Sequence, residues 1–231
     1  MRWPFKRKGK ALLNAALQQR LAALPTPRAC AQEPLSERFV VLDVEATGLN
    51  TRKDLILAIG AVGVRDGAIA LGDHFHCVLN REHEVTESVL IHGLGPDAVA
   101  QGVAVEEGLL QFLEFIQDSP LLAFHAPYDQ QLLTRELREK LEYRLQHRFV
   151  DVAEVAPLLT GEAAKHSTLD DWLNYFGIPL LQRHDAWGDA YATAKIVLRL
   201  FYLARKEGMV TGADLYQKLA IFKQGNQSFS F

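Results

Sequence analysis

Cysteine is scarce in this chain. Only Cys30 and Cys77 occur, far apart and with no CxxC spacing. A disulfide framework is therefore not implied, and a reducing cytoplasm is the expected compartment. Long apolar runs are absent as well: none approaches the roughly 20 residues that a membrane span needs. The short run Ala11-Leu12-Leu13 is soon interrupted by Asn14, Gln18, Gln19 and Arg20, so no secretory h-region forms. Internal repeats and low-complexity tracts are lacking too. Acidic residues are missing from positions 1–32, a stretch that carries Arg2, Lys6, Arg7, Lys8, Lys10, Arg20 and Arg28. The remainder holds 18 basic residues against 28 acidic ones. A body that grips phosphates unaided is usually basic. An acidic one that handles phosphates needs divalent cations to reverse its local sign.

What is present fits one domain with appended arms: 231 residues, 48% of them hydrophobic, is enough for a sizeable core. Leu13, Leu17, Leu21 and Leu24 recur at helical spacing and predict an amphipathic helix over 10–24, ended by Pro25 and Pro27. It reads as a docking helix over the domain; a basic arm touching nucleic acid or a partner is the alternative. Residues 25–36 form a linker. The apolar, β-branched run at 38–45 predicts a buried strand, and Thr47-Gly48-Leu49-Asn50 a turn. A second strand spans 55–64, Arg65-Asp66-Gly67 turns the chain, and a third strand runs to about Leu79. Helix, strand, helix and short strand follow at 105–117, 121–124, 128–142 and 149–152. Helices are expected at 168–176, 187–206 and 212–223. This order predicts an α/β fold: a mixed five-stranded sheet with helices on both faces.

The chemistry-bearing residues cluster in three places. Asp43 and Glu45 stand at i and i+2 on the first strand and so share a face. Two carboxylates on one face of a central strand repel each other and resist burial, and a divalent cation resolves both problems. Asp129 follows Phe124-His125-Ala126-Pro127-Tyr128 near the start of a helix, where alone it reads as a capping residue. His184 precedes a long helix that carries Asp189 in its first turns; alone, these are a loop histidine and a favourable first-turn charge. Strand ends gather site residues, and the first and fourth strands are expected to be neighbours. Asp43, Glu45, Asp129 and Asp189 would then meet at one cleft, with His184 on its rim. Four carboxylates suit two hard cations bound through oxygen.

Asp43-x-Glu45-x-Thr47-Gly48-Leu49, then Asp129, then His184-x4-Asp189-Ala190 resembles the three motifs of the DnaQ-like (DEDDh) 3′→5′ exonuclease family. That family includes the DNA polymerase III epsilon subunit and RNase T. The resemblance runs from about Phe39 to Ala194 and implies a ribonuclease H-like fold. It implies further that Asp43, Glu45, Asp129 and Asp189 hold two ions, Mg²⁺ or Mn²⁺, and that His184 takes the proton from the attacking water. Thr47, Gly48, Leu49, Glu87 and His92 would seat the 3′-terminal nucleotide. The expected partner is a single-stranded nucleic acid with a free 3′ end, together with a DNA polymerase or sliding clamp. Residues 1–36 would be a basic helix and linker, 37–207 the exonuclease domain, and 208–231 a terminal helix and tail. An exoribonuclease and a non-catalytic binding module are the competing readings.

This sequence departs from the family in its second motif, where Phe124 and His125 replace the frequent His-Asn and Tyr128 replaces Phe. Gly188 falls inside the third motif, where it lowers helix propensity by about 1 kcal/mol relative to Ala. His74 and His76 share a strand face while Cys77 points away, too few ligands for zinc. Trp172 and Phe176 read as core, and the end Gln227-Ser228-Phe229-Ser230-Phe231 as a frayed tail with a faint likeness to clamp-docking peptides.

Overall fold

The computed structural model of the chain describes residues 14–28, 34–81, 93–162, 167–179 and 185–227. A short helix α1 (Ala15–Ala22) precedes strands β1 (Phe39–Ala46), β2 (Ile56–Arg65) and β3 (Ala68–Asn80). Then come α2 (Pro96–Ala100), β4 (Val103–Ala104), α3 (Val105–Ile116), β5 (Leu121–Ala123), α4 (Ala126–Leu141) and β6 (Phe149–Asp151). Four helices close the fold: α5 (Val152–Thr160), α6 (Leu169–Tyr175), α7 (Ala186–Lys206) and α8 (Gly212–Gln227). The sheet order is β4-β3-β2-β1-β5-β6. β1 pairs antiparallel with β2 and parallel with β5, and β5 is parallel to β6.

The mixed sheet agrees with the expected order, with one strand more than the five expected. The sixth is β4, two residues that pair with Leu79 and Asn80 at the edge of β3. A segment that short has no hydrophobic period to read. Helix α5 has no counterpart in the expected order, and it carries Pro157 in its interior. Proline there leaves the Ala153 carbonyl without its helical N–H, and the Asp151 side chain caps the helix start by accepting from the Ala153 N–H at 3.0 Å.

The central position of β1 follows from its composition. Phe39 and Val41 enter the core under α5, α6 and α7, while Val40, Leu42 and Val44 enter the core under α3 and α4. A strand covered on both faces reads as a continuous apolar run rather than an alternation. Asp43 and Glu45 continue the Phe39–Val41 face, so they emerge on the α7 side of the sheet. Trp172 is buried in that core, with Phe176 stacked on it.

α1 lies against α3. Arg20 reaches both oxygens of Glu114 at 2.7–2.8 Å and both of Glu107 at 2.8–3.0 Å, while Leu17, Leu21 and Leu24 pack on the core below. Each such exposed pair is worth well under about 1 kcal/mol alone, so the leucines carry much of the attachment. Among the described residues no helix is long and apolar enough to cross a membrane.

Candidate active site

Three elements deliver the carboxylates. β1 presents Asp43 and Glu45. The helix α7 is capped by Asp185, which accepts from the Gly188 N–H at 2.9 Å. That bond uses the amide of the glycine whose helix propensity is poor. The buried stripe of α7 runs through Ala186, Asp189, Ala190 and Thr193, so Asp189 faces the sheet. Ligand oxygens of Asp43, Glu45 and Asp189 lie within 4.8 Å of one another.

Gly60 makes that meeting possible. It pairs with Asp43 across the β1–β2 ladder. A Cβ at Gly60 would stand 2.1 Å from the Ala186 carbonyl carbon and 2.3 Å from the Trp187 nitrogen. Only the bare backbone lets the start of α7 press onto β2 beside the acids. The β1–β2 register also shifts between Glu45 and Ala46, a bulge at the strand end that carries the second acid. The sequence contains Gly60 within an apolar strand, and a glycine there signals close backbone approach.

Asp129 arrives from the other side of the sheet. β5 runs parallel to β1 and feeds α4, which begins with His125 at its N-cap. His125 adopts the left-handed region at φ 59°, and its N–H donates to Asp151 Oδ1 at 3.0 Å. Asp129 is not the capping residue of α4. Its Oδ1 instead accepts from the Val44 N–H at 3.1 Å, on the residue between Asp43 and Glu45. Burial pushes the Asp129 carboxyl up to about 8, against the hydrogen bonds from Val44 and its own backbone N–H, and the charges of Asp151 and Glu45 push the same way. Asp151 is raised too, chiefly by burial. A buried carboxyl in negative surroundings is what a cation site looks like before its cation is counted.

The turn after β1 is held firmly. Thr47 N–H donates to the Leu55 carbonyl, and Leu55 N–H to Thr47 Oγ1, both at 2.9 Å. The Tyr128 hydroxyl, absent where the family carries Phe, donates to the Gly48 carbonyl at 2.7 Å. Leu49, at the tip, is 89% exposed, an apolar side chain held out at the rim of the acids. Behind the turn, the buried Arg81–Glu136 pair (2.5 Å) ties the end of β3 to α4, and Glu136 also accepts from the Ile56 N–H.

The structure thus gathers Asp43, Glu45 and Asp189, with Asp129 one hydrogen bond away and Thr47–Leu49 alongside. His184, Glu87 and His92 lie outside the described residues. His74 and His76 stand on β3 and are not part of that ligand set; His76 Nε2 lies 3.7 Å from an oxygen of Asp185, the cap of α7, and His74 meets the Trp187 ring edge-on.

Residues 40–197 match the family model described as Exonuclease (RNase T). The chain belongs to that exonuclease family. Sequence relatives agree: a DNA polymerase III PolC-type protein of Thermotoga petrophila is 30% identical over 77% of this chain and 13% of its own length. A DNA polymerase III subunit epsilon-like protein of Rhodobacter capsulatus is 32% identical over 79% of this chain and 26% of its own. The chain therefore spans only a fraction of these relatives. The fold is shared with E. coli exonuclease I in complex with a dA16 oligonucleotide, at TM-score 0.62 and 16% identity over 72% of this chain and 42% of that one. It is also shared with exonuclease X in complex with 5′ overhanging duplex DNA, at TM-score 0.61 and 16% identity over 78% and 99%. These likenesses place the exonuclease-family domain on a DnaQ-like, ribonuclease H-like scaffold.

Proposed function

We propose that this exonuclease-family protein is a metal-dependent 3′→5′ exonuclease that removes nucleoside 5′-monophosphates from single-stranded DNA ends. The observation that carries the reading is the meeting of Asp43, Glu45 and Asp189 within 4.8 Å, with Asp129 buried behind them. A set made only of carboxylate oxygens fits hard divalent cations. Asp43, Glu45 and Asp189 would hold the first Mg²⁺ or Mn²⁺; Asp43, helped by Asp129 directly or through water, would serve the second. Bound there, the ions supply Lewis acidity to the scissile phosphate and to its attacking water.

The rest of the work falls to the protein's own groups. His184 accepts the water's proton, a task suited to an imidazole that titrates near neutrality. The Thr47–Leu49 turn, braced by Tyr128, seats the terminal nucleotide so that the last phosphodiester faces the acids. Glu87 and His92 contact the same nucleotide. DNA is favoured because the sequence relatives are DNA polymerase III proteins and the fold relatives hold DNA. The sequence relatives, by their DNA polymerase III names, support association with a DNA polymerase.

The test is digestion of 5′-labelled single strands of DNA and RNA of one sequence, with Mg²⁺ or Mn²⁺. The expected result is a ladder shortening from the 3′ end, faster on DNA and absent for Asp43→Ala. Full activity in Asp43→Ala would overturn the scheme, and a faster RNA ladder would move the substrate class to RNA.

A further inference from the structure

Beside the site lies a second, unassigned feature. A groove of about 750 Å³ runs between the turn after β1 and the outer face of α4. Thr51 and Arg52 form one wall, and Gln131, Arg135 and Arg138 stand along the other. Three arginines against a single acid, Glu139, make it locally positive. That contrasts with the body of the chain, in which acids outnumber bases.

The arginines divide the labour. Arg135 is committed to structure: it donates to the Thr51 carbonyl at 2.7 Å and to the Asp54 carbonyl. With the Thr51 Oγ1 to Gln131 bond at 2.8 Å, it fixes the width of the groove. Arg52 and Arg138 are exposed, and among the described residues neither guanidinium has an ion-pair partner. Two uncommitted guanidiniums held across a preformed cleft are suited to phosphate oxygens.

Position decides which phosphates. The groove begins at Thr51, two residues beyond the exposed Leu49, and at Gln131, two residues beyond Asp129. It ends near Arg138, nine positions along α4 from Asp129, so the path from Asp129 to the far end is about 13 Å at 1.5 Å per residue. That length spans roughly four nucleotides of a stacked strand at about 3.4 Å each. We infer that the groove between the 47–55 turn and α4 binds the phosphodiester backbone of the single strand leading to the active site, through Arg52 and Arg138. This rests on the exonuclease reading and adds to it a track for the part of the strand that is not being cut. Backbone contacts of this kind hold register without reading sequence.

The test is fluorescence anisotropy of a labelled twelve-nucleotide single strand and of a labelled dinucleotide, in chelator so that nothing is cleaved. Wild type is compared with the double variant Arg52→Gln, Arg138→Gln. Both side chains are exposed, and circular dichroism checks that the fold is kept. The twelve-mer should bind about tenfold more weakly or worse. The slope of log K against log salt should become shallower by about 1.4, at about 0.7 per phosphate contact on a single strand. The dinucleotide, which ends before the groove, should lose less than twofold. Unchanged affinity and slope for the twelve-mer would overturn the inference, and so would equal losses on both ligands. Wild-type digestion is measured separately, so a protein that binds through the groove but fails to cut would refute the exonuclease reading and leave the groove standing.

Discussion

Replacing Asp129 by asparagine should stabilise the metal-free protein, by an amount that grows with pH. Asp129 is 3% exposed, and burial lifts its carboxyl from 3.8 to about 8. A carboxyl raised by folding holds its proton more tightly in the native state. The stability this contributes is whole below pH 3.8 and is lost as pH climbs to about 8. At about 1.4 kcal/mol per pH unit, the loss at pH 7 approaches about 4 kcal/mol if nothing relaxes. Relaxation around the charge lowers this, so a gain of about 2–4 kcal/mol is expected for Asp129→Asn, on the order of 5–10 °C in Tm for a domain of this size. Asparagine keeps an oxygen to accept the Val44 N–H at nearly the same volume. The assay is urea unfolding in chelator at pH 5 and pH 8. The variant's advantage should be at least twice as large at pH 8. Saturating Mg²⁺ or Mn²⁺ should shrink or reverse it, because a cation favours the charged aspartate. A difference independent of pH, or a less stable variant at pH 8, would refute the reasoning.

Other perturbations have equally definite outcomes. Gly60→Ala forces a methyl onto the Ala186 backbone, which should cost about 1–3 kcal/mol in unfolding experiments and displace Asp189 enough to lower kcat by about tenfold or more; a fully active, fully stable variant would contradict the close approach. Tyr128→Phe removes one bond to the Gly48 carbonyl, about 1 kcal/mol, and should raise KM several-fold with kcat little changed; an unchanged KM would show that the turn needs no brace. His184→Ala should lower the rate by about 100-fold or more while calorimetric metal affinity stays nearly intact, and a large loss of affinity would make His184 a ligand instead of a base.

Much of the site was legible in sequence because its elements have short-range signatures. The apolar run of β1 announces a central strand, and its two-residue period puts Asp43 and Glu45 on one face. The long 3.6-residue pattern of α7 puts Asp189 on the buried stripe. What stayed illegible depends on neighbours distant in the chain. The partner of Asp129 is the amide of Val44, 85 residues away, so a residue that locally looks like a cap is a buried acid tied to β1. Edge strand β4 owes its existence to the free edge of β3, not to its own two residues.

The sequence by itself determined which residues carry chemistry and in what order, because side-chain type, spacing and strand or helix period are local properties of the chain. Tertiary structure alone decided that three carboxylates come within 4.8 Å and that Gly60 clears the way for α7. It also decided that Asp129 loses its water, and that arginines of a turn and a helix face each other across one groove. Hydration, charge repulsion and backbone approach depend on which segments pack together, and here those segments (β1, β2, α4 and α7) lie far apart in the chain.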